Sequence, residues 1–284
     1  MEHYACYNAN IICTHLKMLV YIAIILFVVF FVLCYLTWYE NDPLSVGDNK
    51  DTPRIIWAYW GQGWLEAPET CKLCMRSWAK LNPTWRLRLL DATSLRGLVD
   101  VEDLAIIERI PTIQHKADFL RVSLLKKYGG VWVDATTFCR VPLDTWLPEL
   151  GDIAFVFANR LPLHRIVNIA AISIWFIASN KDGYMITRLK ERLVLYWSRN
   201  RTAHVYLLPH VLFGELLVKD DTFRELFEVM PKMSSFLSGN MFSLGAPSCY
   251  TLPHFRRGQT PVYKTNWRKQ LSPTVMRTFE ASLL

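Results

Sequence analysis

The chain has 284 residues, 52% of them hydrophobic, and a formal net charge of +7. That is enough apolar material for one domain with appendages, and the charge suits an anionic ligand, a membrane surface or nucleic acid. No nucleic acid is expected as a partner, because the sequence carries no zinc-finger spacing, no RNP-like aromatic strand and no long basic run.

Residues 1–17 read as an N-terminal tail. Residues 18–39 form an uncharged run of about 22 residues, enough to cross a bilayer core of roughly 30 Å. Trp38 and Tyr39 fall where an interfacial aromatic belt sits. The run is longer than a signal-peptide core and lacks a small-residue cleavage site, so it reads as an uncleaved transmembrane anchor in the lipid bilayer. Lys17 before it and Glu40, Asp42 and Asp48 after it favour a cytoplasmic N-terminus. The expectation is a single-pass type II protein facing a Golgi or ER lumen or a bacterial cell envelope. Residues 40–52, with Pro43 and Gly47, read as a stem, and residues 53–284 as the globular part.

Arg54–Trp60 is a nearly continuous apolar run, as in a strand buried on both faces, and Gly61-Gln62-Gly63 turns after it. The turn lacks the GxGxxG pattern of a dinucleotide fold. A helix is expected over Glu66–Leu81, with Pro68 near its start, followed by a strand over Trp85–Leu90. Cys71, Cys74, Met75 and Trp78 follow the i, i+3, i+4, i+7 spacing of a packed helix face, which outweighs reading the CxxC as a metal or redox half-site. Asp91, at the second strand's end, is preferred as the cap of a short helix over Ser94–Val99, against a contact to ligand. Leu104–Arg109 is expected to be helical.

The chemically dense stretch is His115–Phe138, HKADFLRVSLLKKYGGVWVDATTF. Asp118–Tyr128 carries a broad apolar stripe, Gly129 and Gly130 stop the helix, and Val131–Val133 form a short strand that ends on Asp134. His115, Asp118 and Arg121 recur along one helix edge. Asp134 sits at the carboxyl end of a buried strand, where open α/β sheets bind ligands. A carboxylate there can hold a divalent metal and, through it, a diphosphate. An arginine nearby can grip a phosphate or hydroxyl. The plain alternative for each residue alone is a surface salt bridge for Asp118 and Arg121 and a turn at Asp134. Their shared spacing favours the site.

Further on, strands are expected at Ile153–Ala158 and Ile172–Ala178, and a helix at Tyr184–Trp197 whose basic face includes Arg188, Lys190 and Arg192. That face reads as solvated, with contact to anionic lipid as the alternative. Asn200-Arg201-Thr202 is an N-glycosylation sequon. Helices follow at Tyr206–Lys219 and Thr222–Val229, and Met230–Tyr250 reads as irregular. His210 lies among apolar residues, where a histidine is usually a core residue.

Several of these segments resemble the capsular polysaccharide synthesis protein family and, more widely, nucleotide-sugar glycosyltransferases with a DXD sugar-binding motif. They are PRIIWAYWGQGW at Pro53–Trp64, CMRSWAKLNPTWRLRLLD at Cys74–Asp91, the stretch His115–Phe138, ISIWFIASNKD at Ile172–Asp182, and PVYKTNWRK at Pro261–Lys269. The resemblance covers nearly everything after about Thr52. It implies an α/β GT-A-like nucleotide-diphospho-sugar transferase fold, a mostly parallel central sheet flanked by helices, behind the transmembrane anchor.

The resemblance also implies transfer of a sugar from a nucleoside-diphosphate sugar to a glycan, polysaccharide or glycolipid acceptor, with retention at the anomeric carbon. Mn²⁺ or Mg²⁺ on Asp134 would neutralise the diphosphate, and Asp118 and Arg121 would orient the donor sugar. Tyr59 or Trp60 would lie by the base, although both also suit core packing. The region around Ser179-Asn180-Lys181-Asp182 would meet sugar, although Asn180 and Asp182 are also good turn formers. Lys264 would hold phosphate, with Tyr263 in place of the family's usual histidine. The resemblance raises the functional standing of His210. One departure matters: a full DXD motif would place a second acid at Thr136, and a hydroxyl is a poorer cation ligand, left here a weak or water-mediated contact, although the capsular family that the chain resembles often has the same DAT-type ending. Two other readings stand beside this one: a catalytically inactive partner of another transferase, and a basic membrane-attached binding protein.

Overall fold

The computed structural model describes Met18 and residues 52–158, 171–235, 238, 248–258, 260–269 and 271–284. The chain divides into two compact units, Met1–Leu44 and Ser45–Leu284. Apart from Met18 and Thr52, the expected tail, anchor and stem lie outside the described residues. Among the described residues no helix is long and apolar enough to cross a membrane.

The second unit is an α/β domain around a six-stranded sheet in the order β2-β1-β3-β6-β5-β7. Its strands are β1 (Ile55–Tyr59), β2 (Arg86–Leu90), β3 (Gly130–Val133), β5 (Ala154–Ala158), β6 (Ile172–Ser179) and β7 (Lys232–Ser234). β1 runs parallel to β2 and β3, and β7 runs parallel to β5. β6 is antiparallel to both β3 and β5. Five of the six strands therefore run one way, as the mostly parallel expectation has it, and β6 alone runs against them and makes the sheet mixed. Apolar runs report burial on both faces but not strand direction, and β6 reads alike either way. β3 and β5 are buried throughout, as their continuous apolar runs require. β2, at the sheet edge, is partly exposed.

Helices pack on this sheet: α1 (Glu69–Leu81), α2 (Val101–Arg109), α3 (Ile113–Tyr128), α4 (Tyr184–Arg199), α5 (Leu208–Lys219) and α6 (Asp221–Val229). α7 (Ser248–Arg257) and α8 (Pro273–Ala281) follow. Residues Trp64–Glu66 form a separate 3₁₀ turn, because Pro68 caps α1 and ends the continuous helix expected from Glu66. No helix forms over Ser94–Val99, where Gly97 takes φ +76°. The Asp91 carboxylate instead caps a turn, accepting from the Thr93 and Ser94 amides at 2.9 and 3.0 Å. β7 lies inside the segment expected to be irregular.

Cys71, Cys74 and Cys139 are free and buried, and burial pushes each thiol up to about 12, so the packing reading of the CxxC holds. The basic face of α4 is spent on ion pairs: Arg188 with Glu191 and Asp220, Lys190 with Asp103, and Arg192 with Glu215. Those three cations are not free for lipid headgroups.

α3 is the inner helix. Thr112 caps its start, with the His115 amide 3.4 Å from the threonine hydroxyl, and the Gly129 amide closes its end on the Leu125 carbonyl at 2.8 Å. Phe119, Leu120, Val122, Leu124 and Leu125 are all buried at 1% exposure or less. Gly129 and Gly130 have φ +68° and +94°. Gly130 also passes β1 so closely that a Cβ would stand 2.4 Å from the Ile55 carbonyl oxygen. The two glycines let the chain leave α3 and enter the sheet beside β1 within one residue.

A smaller sheet pairs β4 (Thr137–Cys139) with β8 (Val262–Lys264), antiparallel, with Thr137 opposite Lys264. It is clamped by aromatic rings: Phe138 on Phe279 at 4.2 Å, Phe279 on Phe255 at 4.5 Å, and Phe255 on Tyr263 at 5.0 Å. Burying such rings contributes roughly 1.5–3 kcal/mol each. This clamp ties the C-terminal segment to the residues just after Asp134.

Gly130→Ala combines left-handed strain with a backbone clash and is expected to cost about 2 kcal/mol or more in unfolding free energy. Gly63→Ala has a similar φ, +93°, but nothing within 4 Å of the added Cβ, and is expected to cost only about 1 kcal/mol. Urea midpoints of the two variants test this, and equal losses would refute the close-approach account.

Candidate active site

A cavity of about 400 Å³ opens at the carboxyl ends of β1 and β3. α3 supplies Asp118 and Arg121, the first residues of β6 supply Ser173, Ile174 and Trp175, α5 supplies His210, and the segment after β8 supplies Trp267 and Arg268. Asp134 and Lys264 lie in its wall, with Tyr59 and Trp60 beside them. The expected residues Tyr59, Trp60, Asp118, Arg121, Asp134 and Lys264 are thus brought together around one space.

Asp134 is the hub. Its Oδ1 accepts from the Trp132 indole at 3.1 Å and lies 3.3 Å from the Arg121 guanidinium, and its Oδ2 lies 3.3 Å from Lys264 Nζ. Burial pushes this carboxyl up, but Arg121, then Lys264 and the indole, outweigh it and hold it below the ordinary carboxylate range. Lys264 Nζ also donates to the Thr136 hydroxyl. The Thr265 amide and hydroxyl both bond the Thr136 carbonyl, at 2.7 and 2.8 Å, which fixes the base of the lysine.

Arg121 is 5% exposed and committed to protein. It pairs with Asp118 Oδ1 at 2.9 Å, donates to the Ala117 and Ile174 carbonyls, and stacks over Trp132 at 5.1 Å. Four of its five N–H groups are thus aimed at protein acceptors, among them Asp118 and Asp134, so it holds these two carboxylates in place. Asp118 keeps its second oxygen without a protein partner among the described residues. Burial pushes its carboxyl up to about 6, with Arg121 pulling the other way and Asp134 adding to the rise.

His210 faces the same space with its Nδ1 buried and unpartnered. Burial, then the Arg121 charge, pushes it down to about 4, so the imidazole is neutral. Trp60 Nε1 is likewise buried without a partner. Trp60 meets Trp267 edge-on at 5.7 Å, and Arg268 lies 4.8 Å over the Trp267 ring. Trp267 is 45% exposed, an unusual cost for an indole unless something covers it. Sequence reasoning missed Trp267, and the signal was its place next to cations in PVYKTNWRK. Tyr59 is nearly buried, and burial, then Asp91, raises its hydroxyl pKa.

One expectation is overturned by geometry, and the place of one further residue is fixed by it. Ser179-Asn180-Lys181-Asp182 lies at the far end of the sheet, because β6 runs antiparallel and pairs Ser179 with Gly130; Asp182 there pairs with Lys126 at 2.9 Å. Tyr263 is fully buried in the aromatic clamp and does not line the cavity.

Mn²⁺ or Mg²⁺ would have to be held by Asp134 and Thr136. The donor set does not fit such an ion well. It offers one carboxylate and one hydroxyl, both already engaged by an ammonium, with a guanidinium on the same carboxylate. Among the described residues no three His, Cys, Asp or Glu side chains converge as a metal group.

A cavity at the carboxyl ends of parallel strands is the place where open α/β sheets bind ligands. The chain is a member of the capsular polysaccharide synthesis protein family, whose profile matches residues 37–273. It is 34% identical over 205 residues to a probable glycosyltransferase, FCK3, of Fusarium pseudograminearum, covering 63% of this chain and 50% of that protein. It is 34% identical over 181 residues to the O-glycosyltransferase PaGT of Phomopsis amygdali, covering 58% and 44%. It is 31% identical over 103 residues to the putative glycosyltransferase HOC1 of Saccharomyces cerevisiae, covering 34% and 26%. The chain thus spans half or less of the length of these relatives. Among solved structures, the PaToxG glycosyltransferase matches with a TM-score of 0.45 at 13% identity, over 82% of this chain and 83% of that one.

The raised Asp118 carboxyl has a consequence for stability. Its folded value, about 6, lies above the ordinary unfolded value of about 3.9. The protonated form therefore favours the fold below about pH 4, and that contribution is lost as pH rises through about 6. Urea midpoints for the wild type relative to Asp118→Asn are expected to fall across that window and level off above it. A flat difference would refute the burial-driven shift.

Proposed function

We propose that this protein is a GT-A-type glycosyltransferase that moves a sugar from a nucleoside-diphosphate sugar to a hydroxyl of a glycan, polysaccharide or glycolipid. The observation that carries the reading is the cluster at the cavity wall: Asp134 at a strand end, bridged to Lys264 and Arg121, with an uncommitted oxygen of Asp118 beside them. The glycosyltransferase names of the relatives support it.

In this reading the base lies against Trp60, Tyr59 and Trp267, where stacking on an aromatic contributes about 1–3 kcal/mol. Lys264 and Arg268 hold the diphosphate. Asp118 Oδ2 and the neutral His210 take sugar hydroxyls, which gives the buried His210 Nδ1 a partner. In transfer the acceptor oxygen bonds to the anomeric carbon. The bond from that carbon to the diphosphate breaks, and its electron pair passes to the phosphate oxygen. The acceptor's proton leaves with the diphosphate. Retention is expected from the resemblance, and NMR of the fresh product anomer tests it.

We also propose that residues 18–39 anchor the protein in a bilayer as a type II protein, with the domain on the lumenal or envelope side. The support is the length and lack of charge of that run. Partition of the full chain into the aqueous phase without detergent would overturn this.

Release of nucleoside diphosphate across a panel of nucleotide sugars tests the activity. Asp134→Asn is expected to lose more than about a hundredfold in turnover, roughly 3 kcal/mol of transition-state stabilisation. Arg121→Lys is also expected to lose turnover, since an ammonium cannot hold two carboxylates and a carbonyl in one plane. Thr136→Ala is expected to lose much less. Melting curves separate these effects from unfolding. Unchanged turnover in folded Asp134→Asn would sink the site. His210→Ala is expected to lose about tenfold in kcat/KM and His210→Asn less, because the amide can still bond a hydroxyl.

A further inference from the structure

The residues around Asp134 build a cation site in which the cation is a side chain. We propose that Lys264 takes the place of a divalent metal at the donor diphosphate, so that this protein binds nucleoside diphosphates without a metal ion. The inference rests on the donor reading above and deepens it.

A divalent ion that holds a diphosphate needs several oxygen or imidazole ligands with negative charge among them. Here the positions that would supply them are spent or changed. Thr136 stands two residues after Asp134 with a hydroxyl. Asp118 has one oxygen paired with Arg121 at 2.9 Å, and its other oxygen is the one that takes a sugar hydroxyl in the donor reading. That leaves Asp134 for the diphosphate ion, and two protein cations already lie 3.3 Å from it.

Lys264 fits the vacated role. Its ammonium bridges Asp134 Oδ2 and the Thr136 hydroxyl, the two side chains that a metal would have to join. An ammonium has three N–H donors; two are held by these partners, and the third has no protein acceptor among the described residues. The lysine is held in place by the β4–β8 pairing and the Thr265 bonds to Thr136. It is also only 19% exposed, so its charge is weakly screened. A preorganised cation of this kind can stabilise the oxygen that gains the electron pair when the bond to the anomeric carbon breaks. Arg268, on the Trp267 ring, adds a second cation at the cavity.

The test is calorimetric titration of the full chain with UDP, GDP and inorganic pyrophosphate, in EDTA and then in Mn²⁺, for wild type, Lys264→Met and Lys264→Arg. At least one probe is expected to bind the wild type with a Kd that agrees within about threefold between the two conditions. Lys264→Met is expected to weaken that probe about thirtyfold in both conditions, and Lys264→Arg far less. Mn²⁺ alone, followed by loss of its free EPR signal, is expected to show no binding to the wild type. Wild-type binding that is lost in EDTA and restored by Mn²⁺ would overturn the proposal while leaving the donor reading intact, and so would an unchanged Lys264→Met. Binding of no probe in either condition would remove the donor reading and this proposal with it.

Discussion

A carboxylate held between two cations from distant parts of the chain is the constraint on which this domain turns. Asp134 ends β3, Arg121 comes from the middle of α3, and Lys264 comes from β8, well over a hundred residues downstream. A largely buried carboxylate without partners would be neutralised or would destabilise the fold. Removing one partner from a buried pair typically costs about 3–5 kcal/mol. Helix, central sheet and the small β4–β8 sheet are therefore tied electrostatically at one point, and that point lies in the wall of the cavity.

The scaffold is arranged to keep the point still. Gly129 and Gly130 let α3 and β3 follow each other with almost no connecting chain, so Arg121 and Asp134 share one rigid hairpin-like unit. The Trp57 indole locks that joint from β1 by donating to the Gly129 carbonyl at 2.9 Å. On the other side, Phe138, Phe255 and Phe279 hold β8 against β4. Hydrophobic packing does the positioning, and the ion cluster inherits its precision.

Around the cluster the cavity keeps several polar groups unsatisfied. Trp60 Nε1 and His210 Nδ1 are buried without partners, and Asp118 holds one oxygen in reserve. Native structures leave few such atoms, and a bound ligand at the cavity can supply the missing bonds of these. The exposed Trp267 indole at the same cavity adds an apolar surface with the same need. Polar donors inside and aromatic rings around them are what an amphipathic, anionic small molecule requires.

Much of this was legible in the chain itself. The apolar stripe of α3, the two glycines and the short strand to Asp134 are local patterns, and local backbone preference decides them. Cys71 and Cys74 were readable as packing from helical spacing alone. The gathering of Asp118, Arg121 and Asp134 followed from one helix edge and one strand end. Strand direction was not legible: β6 is buried on both faces, so its sequence is equally consistent with either orientation. Only pairing with β3 decided that Ser173–Trp175, and not Ser179–Asp182, would meet the cavity. Nor could spacing reveal that Arg121 spends its fork on protein, that Tyr263 turns into the core, or that Lys264 closes on Asp134 and Thr136. Those depend on contacts between residues far apart in the chain, whose geometry is set by packing rather than by any local preference.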